Sequence, residues 1–136
     1  MRSLLLFTVI TVCFLLSCKK DKPVTSSGLF GKWEISRRYG GNILPADTTY
    51  KPGNGNDLQF NRDSTYVQYT KGQATATGFY HIRKNTGTVV IQGFGNTLTF
   101  DSDTSFVSFI NISGNVLTIK PLLGDIATTQ YQKIQN

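Results

Sequence analysis

The sequence predicts an all-β domain, an antiparallel up-and-down barrel of about eight to nine short strands. Three observations point there. Past Gly28, apolar side chains recur at alternate positions in short runs, which is the period of a half-buried strand. Clusters of Gly, Asn, Asp and Ser separate those runs at short intervals, and no stretch of this region has helical spacing. That many consecutive strands would leave two exposed edges in an open sheet, so the sheet is expected to close on itself.

Taken from its start, the 136-residue chain has room for one such domain after a targeting segment. Residues 1–17 read as a secretory signal. Arg2 gives a basic start, Leu4 to Leu16 an apolar run too short for a permanent span, and Leu15-Leu16-Ser17-Cys18 a small-residue cleavage site. That tetrapeptide resembles the lipobox of bacterial lipoproteins. The resemblance implies cleavage before Cys18, acylation of Cys18, and a membrane as partner through that anchor. Cys13 leaves with the signal, so Cys18 is the sole cysteine of the mature chain and no internal disulfide can form. The domain must therefore hold together on its packed core.

Residues 18–27 contain Lys19, Lys20, Lys22 and Pro23 and no large aromatic, the composition of a flexible tether whose lysines suit anionic headgroups. The barrel domain is expected over 28–136. Removing residues 1–17 takes Arg2 from the 14 basic residues, leaving 13 against 8 acidic ones. This excess is small, no basic face recurs along the strands, and the export signal removes the chain from nucleic acid, which is excluded as a partner.

The first strand runs through Leu29 to Tyr39, where Trp33 and Ile35 alternate with Lys32, Glu34 and Ser36. From Gly40 to Asn56 glycine, proline and asparagine break every pattern, giving one long loop that is either a binding lid or an inert excursion. Strands are then expected at Leu58–Phe60, Thr65–Thr70, Thr75–Lys84, Thr88–Gln92, Thr97–Phe100, Ser105–Ile112, Val116–Lys120 and Thr128–Ile134. Alternation points Leu58, Phe60, Tyr80, Ile82, Val89, Ile91, Leu98, Phe100, Leu117 and Ile119 inward. It points Gln59, His81, Arg83, Thr97, Thr99 and Thr118 outward.

Gly31-Lys32-Trp33 on a first strand, followed by such a meander, resembles the opening of the lipocalin and fatty-acid-binding-protein superfamily. More closely, the chain is similar to small lipocalin-like lipoproteins of Bacteroidetes. The motifs are Pro52-Gly53-Asn54-Gly55, Leu58 to Tyr66, Gly78-Phe79-Tyr80-His81-Ile82 and Gly114-Asn115-Val116-Leu117-Thr118-Ile119. The resemblance covers nearly all of the mature domain. It implies a lipocalin-like barrel whose closed end is sealed by Gly31 and Trp33 under a basic side chain from the last strand, here Lys133. At 109 residues from Gly28 onward, such a barrel is only just wide enough to be filled by its own side chains or to hold one small ligand. A pocket would be lined by Phe60, Tyr66, Tyr80, Phe100 and Tyr131, with the phenols as its polar anchors.

Catalysis is not expected. Glu34 is the only glutamate and His81 the only histidine, so acids, bases and metal ligands do not cluster, and no metal or cofactor is implied. Asp101-Ser102-Asp103 opens like a calcium loop, but Phe106 and Ile112 occupy the places of its glycine and glutamate, so it reads as a turn. Asp47-Thr48-Thr49 and Asp63-Ser64-Thr65 resemble short O-glycosylation sites of exported Bacteroidetes proteins. The expectation is a lipid-anchored binding module for a small apolar ligand, at the outer membrane facing the periplasm, with exposure at the cell surface as the alternative. The alternative is a filled barrel that docks an envelope protein through its long loop and outward Val67, Tyr69 or Phe79.

Overall fold

The structure, a computed structural model, describes residues 28–42, 47–101 and 105–134. The signal segment, Cys18 and the tether lie outside the described residues. Nine strands follow in order: β1 (Gly31–Tyr39), β2 (Asp47–Thr49), β3 (Asp57–Phe60), β4 (Thr65–Thr70), β5 (Gln73–Lys84), β6 (Asn96–Phe100), β7 (Ser108–Ser113), β8 (Val116–Pro121) and β9 (Thr128–Lys133). Every pairing is antiparallel. β1 and β3 to β9 form a sheet in chain order, and β1 returns to pair with β9. This is a closed, eight-stranded, lipocalin-like up-and-down barrel, with β2 added along the outer half of β1.

Long strands close the barrel by sharing their two halves between neighbours. Gly31 to Glu34 of β1 pair with β3, while Arg37 to Tyr39 pair with β2. In β5, residues 73–79 pair with β4 and residues 80–84 with β6. The handover falls between Phe79 and Tyr80, next to Gly78, where any Cβ would collide with the Asp101 carboxylate. That carboxylate accepts the Phe79 N–H at 2.9 Å through Oδ1 and the Tyr66 hydroxyl at 3.2 Å through Oδ2, so a missing side chain at Gly78 lets the β6 end lock onto β5.

The core fills one end. Trp33, Leu29, Leu98 and Leu117 are fully buried there, with Phe60 beside them. The indole Nε1 donates to the Leu29 carbonyl at 2.6 Å, so the segment before β1 folds beneath the barrel and closes it. The β3–β4 turn, the loop 85–95 and the β7–β8 turn share this closed end. The β4–β5 hairpin tip, residues 105–107 before β7 and the β8–β9 loop lie at the opposite end, the mouth.

The strand count agrees with the sequence while one strand is exchanged for another. Thr88 to Gln92 is a loop and not a strand: Lys84 pairs directly with Asn96, leaving no edge for an additional strand. Asn85 holds that loop, donating from its backbone to Gly95 O and from its amide to Val89 O, both at 2.9 Å. Val89, expected inward, is therefore exposed, as is Val90, and Ile91 is half-buried. Conversely, the expected long loop contains β2, which hydrogen-bonds to β1. β7 begins at Ser108, three residues later than expected, leaving Phe106 exposed. Thr118, expected outward, is buried.

Candidate functional site

The mouth owes its chemistry to one irregularity in β1. Trp33 and Ile35 face inward, and simple alternation would continue with Arg37. Instead the register against β9 shifts between Ile35 and Arg37, a bulge that reverses the facing of everything beyond it. Arg37 turns out to solvent and forms a two-pronged pair with Asp47 of β2, its Nε 2.9 Å from Oδ1. That guanidinium holds the Asp47 carboxyl below its usual range. Arg38 turns inward, where it lines both compartments of the mouth.

The folded part of the long loop braces this bulge. The Tyr50 N–H donates to the Ser36 carbonyl and the Ile35 N–H to Asn56, both at 2.9 Å, while the Ser36 hydroxyl donates to Gln130 of β9 at 3.2 Å. Glu34, the sole glutamate, accepts the backbone N–H groups of Gly53 and Gly55 at 2.9 and 3.0 Å. Gly55 has φ +70° and lies so near Gly72 that a Cβ would stand 2.7 Å from its nitrogen, so only glycine fits. The loop is thus a wall of the mouth, fastened to β1 and to the β4–β5 hairpin.

Two adjoining compartments result. The first, about 260 Å³, is of mixed polarity: Leu58, Phe100, Ile119 and Ile126 line it together with Arg38, Gln68, Thr129 and Tyr131. The second, about 320 Å³, opens between β1 and β4 and adds Tyr50, Asn56, Asp57 and Tyr69. Arg38, Leu58, Gln68, Thr129 and Tyr131 belong to both. Burial pushes the Tyr131 phenol up to about 12, against the opposing influence of Arg38, so it stays a neutral O–H donor at ordinary pH.

Two polar atoms here are buried without a hydrogen-bond partner: Nε of Arg38 and Oδ1 of Asp57. The other Asp57 oxygen receives the Lys32 ammonium at 2.9 Å, and that hydrogen bond raises the lysine pKa. Lys32 also lies 4.3 Å from the Tyr69 ring centroid. Among the described residues no carboxylate pairs with Arg38, the two ion pairs being Lys32–Asp57 and Arg37–Asp47.

Of the five residues expected to line a pocket, Tyr66, Phe100 and Tyr131 do so. Phe60 and Tyr80 do not line the mouth but border two open clefts toward the closed end, beside Phe30 and Arg62; their rings lie 5.0 Å apart, edge to face, and the Tyr80 hydroxyl donates to Asn61 O at 2.8 Å. The barrel is filled below and open above, because Phe60 stacks at 6.2 Å against Phe100, which forms the floor. At the closed end, Lys133 Nζ lies 5.0 Å from the Trp33 ring centroid and donates to Gly28 O at 3.1 Å; its stem packs where a Cβ on Gly31 would stand.

Arg38 and Asp57 are not legible as site residues, whereas the Tyr50–Asn56 wall falls within the Gly40 to Asn56 loop that the sequence leaves open between a binding lid and an inert excursion. A bulge inserts one residue without a sequence marker, and Asp57, the first residue of β3, reads in the sequence as the end of the preceding Gly-Asn loop. No family model matches the chain, and no curated protein matches it.

Proposed function

We propose that this protein is a lipid-anchored binding module of the bacterial cell envelope, a small lipocalin-like lipoprotein of Bacteroidetes type, which takes a small apolar ligand into its mouth. The observation that carries this reading is the mouth compartment of about 260 Å³, walled by Leu58, Phe100, Ile119 and Ile126 above a filled core. A barrel serving only as a scaffold has no need of an open basin that brings aliphatic and aromatic side chains together with polar ones.

The placement of the chain start supports the anchor. Residue 28 stands at the closed end, so a tether running from an acylated Cys18 would reach the barrel there and leave the mouth facing away from the membrane. Arg62, Arg83 and Lys84 are exposed at the same end and Lys133 is half-exposed, against the carboxylate of Asp63, a charge balance suited to anionic headgroups. We place the anchor in the outer membrane, with the domain on the periplasmic side.

A second reading, a protein-docking lipoprotein, is favoured by exposed Phe106, Leu122 and Leu123 around the mouth. Their loops are joined by the Leu122 N–H to Val107 O bond at 2.9 Å. Native mass spectrometry of residues 18–136 carrying Cys18→Ser, exposed to an envelope-lipid extract, separates the two. A discrete added mass that Phe100→Trp abolishes supports the binding module. No added mass, under conditions where a known lipid carrier acquires one, supports docking.

A further inference from the structure

The outer surface of the closed end carries an apolar loop beside unpaired arginines. We infer that the loop 85–95 and the basic cleft next to it form a membrane-docking face, which seats this end of the barrel on an anionic bilayer with Val89 and Val90 among the lipids. The inference rests on the envelope location proposed above, and it adds to the acyl anchor a second contact made by the folded domain itself.

The apolar half of the face is a loop with no charged residue. Its backbone is closed on itself. Asn85 bonds Gly95 O and Val89 O, the Gly87 N–H donates to Asn85 Oδ1 at 3.2 Å, and the Phe94 N–H donates to Ile91 O at 3.0 Å. Backbone groups that bond one another enter an apolar phase at far lower cost than free ones. Ile91 and Phe94 are half-buried, whereas Val89 and Val90, in the middle of the loop, are 49% and 80% exposed. A single exposed valine is ordinary on a protein surface; two adjacent ones held outward by a braced, uncharged loop form a compact apolar projection.

The basic half lies at the foot of that projection. Arg83 and Lys84 end β5 where the loop begins. Arg83 and Arg62, the latter from the β3–β4 turn, line one open cleft of about 280 Å³ together with Phe30, Ser64 and His81. The Arg62 guanidinium lies 5.9 Å from the Phe30 ring centroid. Among the described residues neither arginine has an ion-pair partner, the two ion pairs being Lys32–Asp57 and Arg37–Asp47. Asp63, next to Arg62 in the chain, is turned onto Thr65, whose N–H and hydroxyl it accepts at 3.1 and 2.6 Å. Two guanidinium groups in one cleft suit the phosphate of a lipid headgroup, which offers acceptors and negative charge together.

The order of these groups and the path of the chain identify the occupant as a bilayer. Valines projecting beyond a basic foot match a leaflet, whose phosphates lie outside its acyl chains. Gly28 stands at the same end, its carbonyl accepting from Lys133 Nζ at 3.1 Å. The ten steps from Cys18 to Gly28 reach about 36 Å at full extension, so an acylated Cys18 keeps this face within reach of the headgroups.

The test uses residues 18–136 carrying Cys18→Ser, which have no cysteine, with an environment-sensitive fluorophore placed through Val90→Cys in the loop or Leu122→Cys at the mouth. The probes are vesicles of equal phosphatidylglycerol and phosphatidylcholine, and vesicles of phosphatidylcholine alone. The label at residue 90 should shift to the blue with the anionic vesicles and the label at residue 122 should not. Arg62→Ser combined with Arg83→Ser should raise the lipid needed about 25-fold, fivefold for each basic side chain at an anionic surface. In the unlabelled protein Val90→Asp should weaken co-sedimentation with the anionic vesicles about tenfold. Lys19, Lys20 and Lys22 are common to every variant, so binding without a shift at residue 90 would assign the contact to the tether and overturn the docking face. A shift at residue 122 instead would overturn it by turning the mouth to the membrane, and an equal shift with phosphatidylcholine alone would overturn the role of the arginines. No response to either vesicle would overturn the face as well. Incorporation of labelled palmitate into the full chain in growing bacteria reads the anchor separately, and mass gained from the lipid extract reads ligand binding, so failure of the docking face is distinguishable from failure of either.

Discussion

Replacing Trp33 by alanine removes the side chain on which the closed end is built. The indole is fully buried, its Nε1 donates to Leu29 O at 2.6 Å, and Lys133 Nζ covers it at 5.0 Å from the ring centroid. Deleting a buried aromatic costs about 3–5 kcal/mol, the larger values where surroundings cannot collapse into the space. Collapse is hindered here because Trp33 sits in the middle of a paired strand, opposite Leu58 on one side and Lys133 on the other. Small domains have about 5–15 kcal/mol in total, so Trp33→Ala should leave a marginal fold. Trp33→Phe separates the contributions: it keeps most of the volume but leaves the Leu29 carbonyl without its donor, a loss of about 1–3 kcal/mol. Urea unfolding followed by near-ultraviolet tyrosine circular dichroism measures both, since tryptophan emission is absent from the variants. A Trp33→Ala protein within about 1 kcal/mol of the parent would refute the placement of the core at this end.

Gly78→Ala should cost about 1–3 kcal/mol, because the new methyl displaces the Asp101 carboxylate from Phe79 N–H and the Tyr66 hydroxyl. In a double-mutant cycle, Asp101→Ala should cancel the effect, making the double variant no less stable than Asp101→Ala alone. Stability should also fall in alkali. Burial raises Tyr131 to about 12 from the ordinary phenol value of 10.0, so between those limits the unfolded chain releases a proton that the native protein keeps. The stabilisation is whole below pH 10.0 and lost as pH rises through about 12, worth roughly 2–3 kcal/mol across the window. Urea midpoints against pH should show this decline in the parent and a shallower one in Tyr131→Phe.

How much of this the sequence discloses depends on which residues carry it. The barrel is legible because Leu58 and Phe60, Leu98, and Leu117 and Ile119 alternate cleanly, and facing is a property of period two. Trp33 under Lys133 is legible only through resemblance, since nothing local links two residues a hundred positions apart. Val89-Val90-Ile91 misleads because three adjacent β-branched residues satisfy strand propensity with no edge to pair with. Propensity describes a residue's fit to a sheet, and the existence of a partner is decided elsewhere. Asp47-Thr48-Thr49 misleads in the opposite sense. A polar triplet becomes a strand because β1 extends beyond β3 and offers it an edge.

Arg38 marks the limit of pattern reading. Its facing is set by a bulge, and the bulge is held by hydrogen bonds to the Tyr50–Asn56 segment and to Gln130 of β9, two distant segments that meet β1 only in the folded chain. The same bracing explains how the mouth can tolerate a buried donor and acceptor without partners. Stability is concentrated at the other end, where Trp33, Leu29, Leu98 and Leu117 admit no solvent, while the mouth is fixed by hydrogen bonds outside the cavity and not by filling it. Packing Arg38 away would require undoing Glu34's grip on Gly53 and Gly55 as well as the Ser36 contacts. The residues that line the mouth are thus held by a frame built outside the cavity, which is the condition for a preformed site: a ligand need not order the side chains that receive it.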